Sequence, residues 1–267
     1  MLIVGESLNG TIPKVGEAIK VRDVEFVRKL ALDQVEAGAQ MLDVNAGVAG
    51  ANEAEDLAWL VGLVQDTVSV PLLIDSADPK ALEAALAIHK GRPMVNSISA
   101  EKHKLDAVLP LVAGHDCSVV ALCLGDEGIP QTPEARLKLA RIVLDWAQAA
   151  GLKLEDIYLD TLTLGMGTSD QAARVTLETL RLVRQELPGV RIMCIASNVS
   201  FGMPNRRILN RTFATMAVAA AMGLDAVMID VRDKAMMASL MAAEALAGKD
   251  PYCKRYFRAF RAGKLGM

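Results

Sequence analysis

The 267-residue chain is poor in aromatic residues, at 4%, although 52% of it is hydrophobic. Its core must therefore be built from Val, Ile, Leu, Met and Ala. That suits a parallel sheet wrapped by helices, whose strands are buried on both faces. Cysteine is scarce as well. Cys117, Cys123, Cys194 and Cys253 form no C-x-x-C pair and stand among apolar neighbours, which fits reduced core residues of a cytoplasmic protein rather than a disulfide frame. Histidine occurs three times, at His89, His103 and His115. All three fall on expected helices or helix ends away from any site, without H-x-x-x-H spacing, so no protein-held metal is expected. No apolar run is long and unbroken enough to span a bilayer, and no cationic start precedes an apolar block. With a net charge of -3 and a pI near 5.7 the chain has no basic field for nucleic acid or an anionic membrane. The one basic stretch, Lys254-Arg255 through Lys264, reads as a solvated helix end. There is no G-x-S-x-G nucleophile turn, and Gly5-Glu6-Ser7-Leu8-Asn9-Gly10 lacks the spacing of a dinucleotide-binding turn. No lysine stands at an expected strand end, which argues against Schiff-base chemistry.

What is present is a repeating phrase. Eight short apolar runs alternate with longer helical segments: Leu2–Gly5, Met41–Asn45, Leu72–Asp75, Met94–Ser97, Val119–Leu122, Ile157–Asp160, Ile192–Ala196 and Ala226–Asp230. Gly38, Gly91, Gly114, Gly151, Gly189 and Gly223 precede six of them, where a helix would end in a left-handed cap. Asp78-Pro79 and Thr132-Pro133 place a capping oxygen before a proline at a helix start, and Asp170 is a further cap candidate. Eight strand–helix units with no break in composition predict a single (β/α)8 barrel spanning residues 1–267. A doubly wound open sheet is the alternative. Two late segments, Phe213–Met222 and Ala235–Ala247, are apolar nearly all round and rich in methionine. Such helices carry a second buried face, so a homodimer through this region is expected.

A barrel does its chemistry at the carboxyl ends of its strands. Those ends here read Glu6 and Asn9, Asp43 and Asn45, Asp75 and Ser76, Asn96 and Ser97, Asp160, Ser197 and Asn198, and Asp230. Any one of these could cap a helix or make a turn, but seven of eight strands bring an acid or amide to one rim. Asn198 follows the buried run Cys194–Ala196, where an amide is costly to hide without a partner. Carboxylates accept paired N–H bonds from an amidine-like edge. The expected ligand is a neutral planar heterocycle rich in donors, a pterin or a guanine-like ring.

In these same phrases the chain resembles the pterin-binding methyltransferases that act between methyltetrahydrofolate and corrinoid proteins. The resemblance rests on Gly5-Glu6-Ser7-Leu8-Asn9-Gly10, Leu42-Asp43-Val44-Asn45, Ile74-Asp75-Ser76, Val95-Asn96-Ser97, Leu159-Asp160, and above all on Ser197-Asn198-Val199-Ser200-Phe201-Gly202 with Asn210-Arg211-Thr212-Phe213. The chain is also similar to the folate domain of cobalamin-dependent methionine synthase. The resemblance implies a homodimeric barrel with the pterin of tetrahydrofolate in the acidic mouth and a corrinoid (cobalamin) carried by a partner protein. It implies that Asp75, Asn96 and Asp160 bind the pterin, that Asn198 contacts the methyl-bearing N5, and that Arg206 lies near the substrate. Phe201 departs from the branch that serves corrinoid/iron–sulfur proteins, which carries glutamine there. The candidate catalytic residues are Asn198 and Asp160. The candidate substrate-binding set adds Asp75, Asn96, Glu6, Asp43, Ser197, Phe201 and Arg206. Two other readings fit the same rim: a dihydropteroate synthase-like condensing enzyme, for which the expected rim lysine is missing, and a folate-binding subunit without catalysis.

Overall fold

In a computed structural model that describes residues 1–47 and 52–265, eight parallel strands close into a barrel in the order β1 to β8. They are β1 (Leu2–Asn9), β2 (Met41–Asn45), β3 (Leu72–Asp75), β4 (Met94–Ala100), β5 (Ser118–Gly125), β6 (Ile157–Asp160), β7 (Arg191–Ile195) and β8 (Ala226–Ile229). β1 pairs with β8 as well as β2, which removes both sheet edges. The intervening helices are α1 (Pro13–Lys20) and α2 (Val24–Glu36) before β2, then α3 (Glu53–Gln65), α4 (Pro79–Ile88), α5 (Lys102–Ala113), α6 (Pro133–Ala149), α7 (Ala172–Glu186), α8 (Arg206–Ala220) and α9 (Lys234–Leu246), with α10 (Lys254–Arg261) after the last. The barrel is closed, not an open sheet.

Strand side chains alternate between two apolar layers. Val4, Met41, Leu73, Met94, Val120, Tyr158, Met193, Ala226 and Met228 fill the barrel interior. Residues of the opposite parity, such as Leu42, Ile74, Val95 and Leu159, pack outward against the helices. Tyr158 is the only aromatic residue of the interior cluster, so the scarcity of rings is met by aliphatic and thioether packing.

Five of the six spacer glycines have a positive φ, whereas Gly114 caps α5 in a right-handed conformation. Asp78 and Thr132 cap α4 and α6 as expected, accepting from the Lys80 and Ala135 amides. Asp170 does not cap α7. The Ser169 hydroxyl accepts from the Gln171 amide instead.

Three strands run further than the sequence suggests: β1, β4, and β5, which continues through Cys123–Gly125. β1 continues through the polar Glu6–Asn9 segment by way of an irregularity between Gly5 and Leu8. There the Ser7 amide bonds to the fully buried Gln34 side chain at 3.0 Å instead of to a strand. A Cβ on Gly5 would lie 2.6 Å from that same Gln34 oxygen, so any larger residue there would displace the side chain that holds the Ser7 amide. β4 likewise passes through Ser97 and Ser99 with shifted register. Both irregularities lie beside the mouth.

The basic tail is not merely a charged, solvated end. α10 leaves Phe257 and Phe260 exposed, while Arg255 ties it to Glu244 of α9.

Candidate active site at the carboxyl rim

The alternation that sends Met41, Leu73, Met94, Tyr158 and Met228 into the barrel continues two residues later with Asp43, Asp75, Asn96, Asp160 and Asp230. The rim acids and amides thus top the interior column rather than facing the helices. β5 and β7 contribute Leu122 and Ile195, both packed on the interior cluster. The mouth therefore has a polar arc over β8, β1, β2, β3 and β4 and an apolar sector at β5 and β7, broken by Asp160. A planar ring with hydrogen-bonding groups along its edge suits such an opening.

In the arc, Glu6, Asp43 and Asp75 all have raised pKa values, in each case by burial first. Asp43 is 1% exposed, and neither of its carboxylate oxygens makes a hydrogen bond among the described residues. Burial, with Asp75 and Glu6 nearby, holds its pKa well above the usual carboxylate range, opposed in part by the adjacent Asn9 amide. Burial thus favours the neutral form of the Asp43 carboxyl. Asp75 accepts from Asn45 Nδ2 at 3.0 Å, with Asn96 beside it on the paired strand. Burial raises its pKa too, while the Asn45 and Asn96 amides and Lys104 lower it and Glu53 raises it. Glu6 accepts from the Ser197 hydroxyl at 2.8 Å. Its pKa is raised, first by burial and then by Asp230, against the Ser197 bond and the charges of Arg206 and Arg232.

Asp160 stands alone on β6, 2% exposed, and burial pushes its pKa up to about 6. The Leu162 amide donates to it at 2.8 Å. On the neighbouring strand, residues Ala196–Ser200 form a 3-10 turn directly after β7. Ser200 is fully buried and donates to Asn210 Oδ1 at 2.5 Å. Arg206 donates to the Ser200 hydroxyl and to the Ser197 carbonyl, each at 3.0 Å. Phe213 is buried beneath. Most of the Ser-Asn-Val-Ser-Phe and Asn-Arg-Thr-Phe phrases is thus a latch, and what it presents is the exposed side chain of Asn198. Arg206 serves that latch, which gives it a holding role before any contact with substrate. Asn198, Phe201 and Gly202 line a cavity of about 530 Å³ with Thr163, Leu164 and Gly165 of the β6–α7 loop. Phe201 is 76% exposed at its edge.

The candidates fall into three groups. Asp43, Asp75, Asn96 and Glu6 are brought together across adjacent strands, with Ser197 bonded to Glu6. Asn198 and Phe201 share the neighbouring cavity against the β6–α7 loop. Asp160 lies on β6, two residues before that loop's amide contact, and makes no bond to the other acids. Three contributors were not legible from strand ends. Glu53, at the start of α3, accepts a short hydrogen bond from Ser76. Lys104 of α5 reaches the mouth and donates to the Ala77 carbonyl at 2.6 Å, so a lysine does approach the rim, though not from a strand. Arg136 of α6 is fully buried behind Asp160. In sequence these three are ordinary helix residues, and only helix placement turns them inward. His103 is also nearer the rim than expected, because the first turn of α5 follows β4 directly.

Residues 5–230 match the model of the pterin binding enzyme family. Over its full length the chain is 37% identical to the methylcorrinoid:tetrahydrofolate methyltransferase of Eubacterium limosum, covering 98% of that protein. Over 80% of its length it is 30% identical to methionine synthase of Mycobacterium leprae, of which it covers 19%. Among solved structures it is similar to dihydropteroate synthases from Stenotrophomonas maltophilia (TM-score 0.70, 20% identity, 92% of each chain) and Xanthomonas albilineans (TM-score 0.66, 20% identity, 92% of each chain), a likeness in fold. With its closed eight-stranded barrel and a family match across most of the chain, this protein belongs to the pterin-binding enzymes.

Proposed function

We propose that the protein is a methyltransferase that moves a methyl group between N5 of methyltetrahydrofolate and the cobalt of a corrinoid carried by a separate protein. The observation that supports this reading is the mouth itself, in which Asp43, Asp75, Asn96 and Asp160 top the interior column, together with the latched turn after β7 that presents Asn198 to a cavity against the β6–α7 loop. The full-length similarity to the E. limosum enzyme supports it. In this reading Asp75 and Asp160, as carboxylates, accept N–H bonds from the pterin edge and Asn96 both donates and accepts. The orphaned carboxyl of Asp43 suits such a ligand, because a buried polar group without a partner is costly until one arrives.

The chemical difficulty is the leaving nitrogen. When the CH3–N5 bond breaks, N5 keeps the electron pair, and without a proton it departs as an anion. A proton on N5 lets it leave as a neutral amine. The amide of Asn198 does not titrate, so it is not the acid. Its carbonyl accepts a hydrogen bond from protonated N5 and supplies a preorganised dipole where charge changes. The proton comes from solvent or through a relay in which Asp160 takes part. Burial favours the neutral form of Asp43, which limits the negative charge gathered in the arc. The corrinoid, when docked, supplies the methyl acceptor or donor.

Anaerobic mixing with methyltetrahydrofolate and cob(I)alamin is expected to consume the cob(I)alamin absorbance. The reverse reaction, with methylcobalamin and tetrahydrofolate, is expected to regenerate it. Folate binding without turnover in either direction would instead mark a non-catalytic subunit. Formation of dihydropteroate from pterin pyrophosphate and p-aminobenzoate would mark the condensing enzyme.

The protein also acts, in this reading, as a cytoplasmic homodimer. A cleft of about 650 Å³ between α8 and α9 is lined by Met216, Ala219, Met222, Ala243 and Leu246, and Leu246 is 90% exposed. Apolar side chains at this density on a surface fit a protein–protein contact. Light scattering at micromolar concentration is expected to give a dimer, and Leu246→Glu a monomer. A monomeric parent protein would end this part of the reading.

A further inference from the structure

Arg136 lies on α6, outside the mouth, and none of the roles above uses it. Its side chain is fully buried and pairs with no acid within ion-pair distance among the described residues. A buried guanidinium persists only where its donors are met. Nε donates to the Pro130 carbonyl at 2.9 Å. Nη1 faces three acceptors: the Thr161 carbonyl at 2.9 Å, the Leu162 carbonyl at 2.6 Å and the Thr176 hydroxyl at 3.3 Å. Nη2 has no acceptor. One side chain thus staples the β5–α6 loop to the β6–α7 loop through backbone carbonyls, with the Thr176 hydroxyl of α7 as a further partner.

The second loop needs a staple. Leu162 has φ +64°, in the left-handed region that a branched side chain avoids. With Leu162 in that conformation its carbonyl meets Arg136 while its amide turns back to Asp160 Oδ1 at 2.8 Å. The Thr176 hydroxyl lies 3.1 Å from the same carbonyl. We infer that Arg136 is a positioning residue for Asp160: by clamping the Thr161 and Leu162 carbonyls it holds the strained turn whose amide fixes the Asp160 carboxyl in the mouth. This rests on the reading of Asp160 as a pterin-binding acid.

The guanidinium also acts through space. Burial raises the pKa of Asp160, and the Leu162 amide and the Arg136 charge oppose that rise. The other titratable groups facing Asp160 are the thiols of Cys123 on β5 and Cys194 on β7, both pushed up by burial and so neutral. The Leu162 amide and, after it, the Arg136 charge thus favour the ionised form of Asp160, and losing that charge moves the Asp160 titration to higher pH.

Three variants test this: Arg136→Met, Arg136→Lys and the gentler Thr176→Val. Each is first checked for folding by thermal melting. The carboxyl titration of Asp160 is then followed by ¹³C NMR without ligand, and the Kd for methyltetrahydrofolate by calorimetry. Folded Arg136→Met is expected to raise the Asp160 midpoint and weaken binding about tenfold at pH 7, the scale of one hydrogen bond to a charged group, with kcat at saturation changed much less than KM. Arg136→Lys is expected to restore the midpoint more fully than the affinity, because it returns the charge without the fork. Thr176→Val is expected to weaken binding about threefold, as a neutral hydrogen bond does. If Arg136→Met does not fold, Thr176→Val decides. An unchanged affinity and an unchanged Asp160 midpoint in the folded variant examined would overturn the inference. The titration needs neither folate nor cobalt, so a protein without methyl transfer but with a displaced Asp160 midpoint would sink the proposed function and leave the positioning role standing.

Discussion

Asn198→Ala is expected to lower methyl transfer about 10²-fold or more, with the melting temperature unchanged. The magnitude is that of removing one preorganised hydrogen-bonding group from the site of charge development in a transition state. The prediction is sharp because the structure separates Asn198 from the machinery that presents it. The bonds of the latch run through the Ser200 hydroxyl, Asn210, Arg206 and the Ser197 carbonyl, and none uses the Asn198 side chain. Truncating an exposed amide creates no cavity, so stability is not expected to follow. Single-turnover rates with cob(I)alamin, beside calorimetric affinity for methyltetrahydrofolate, separate chemistry from binding. The rate is expected to collapse while the affinity changes several-fold at most. A variant with full turnover would remove Asn198 from the mechanism.

The second large effect is on binding. Asp75→Ala is expected to weaken methyltetrahydrofolate by roughly 10- to 100-fold, since hydrogen bonds to a charged group contribute about 1.5–3 kcal/mol. The pH dependence is a stricter check. Asp160 titrates at about 6, and the Asp75 pKa is likewise raised, by burial first. Each offers a paired, charge-assisted acceptor to two N–H groups only when ionised. As pH falls through about 6 the carboxylates take up protons, acceptors are lost and affinity falls; above that range it levels off. With both acids present the fall approaches two protons per site. In Asp75→Ala it should flatten toward the single proton of Asp160. Calorimetry between pH 5 and 8 reads this slope directly. An affinity in Asp75→Ala equal to that of the parent would dissociate Asp75 from the pterin edge.

Removing Asp75 also relieves Asp43, whose pKa is raised by burial and by the neighbouring charges of Asp75 and Glu6. The arc thus answers as a unit, and double variants across it are expected to be non-additive.

The sequence by itself determined the eightfold strand–helix phrase, the aliphatic core and the row of acids and amides at one rim. These are local facts: a period of two along each strand, glycines where helices end, and polar residues where apolar runs stop. Five of the eight strands, β2, β3, β6, β7 and β8, were legible to within a residue at each end. It misjudged β1 and β4, whose polar continuations look like turns, because pairing with neighbouring strands and the Gln34 side chain stabilises backbone that local propensity would release. Only the tertiary structure decided which polar groups meet. That Asp43 is left without a partner, that the Ser-Asn-Val-Ser-Phe phrase is mostly a latch around one presented amide, and that Lys104 and Arg136 reach the site from helices all depend on how helices seat against the barrel. A helix residue's direction relative to the mouth is set by packing between distant segments, and no spacing within the helix records it.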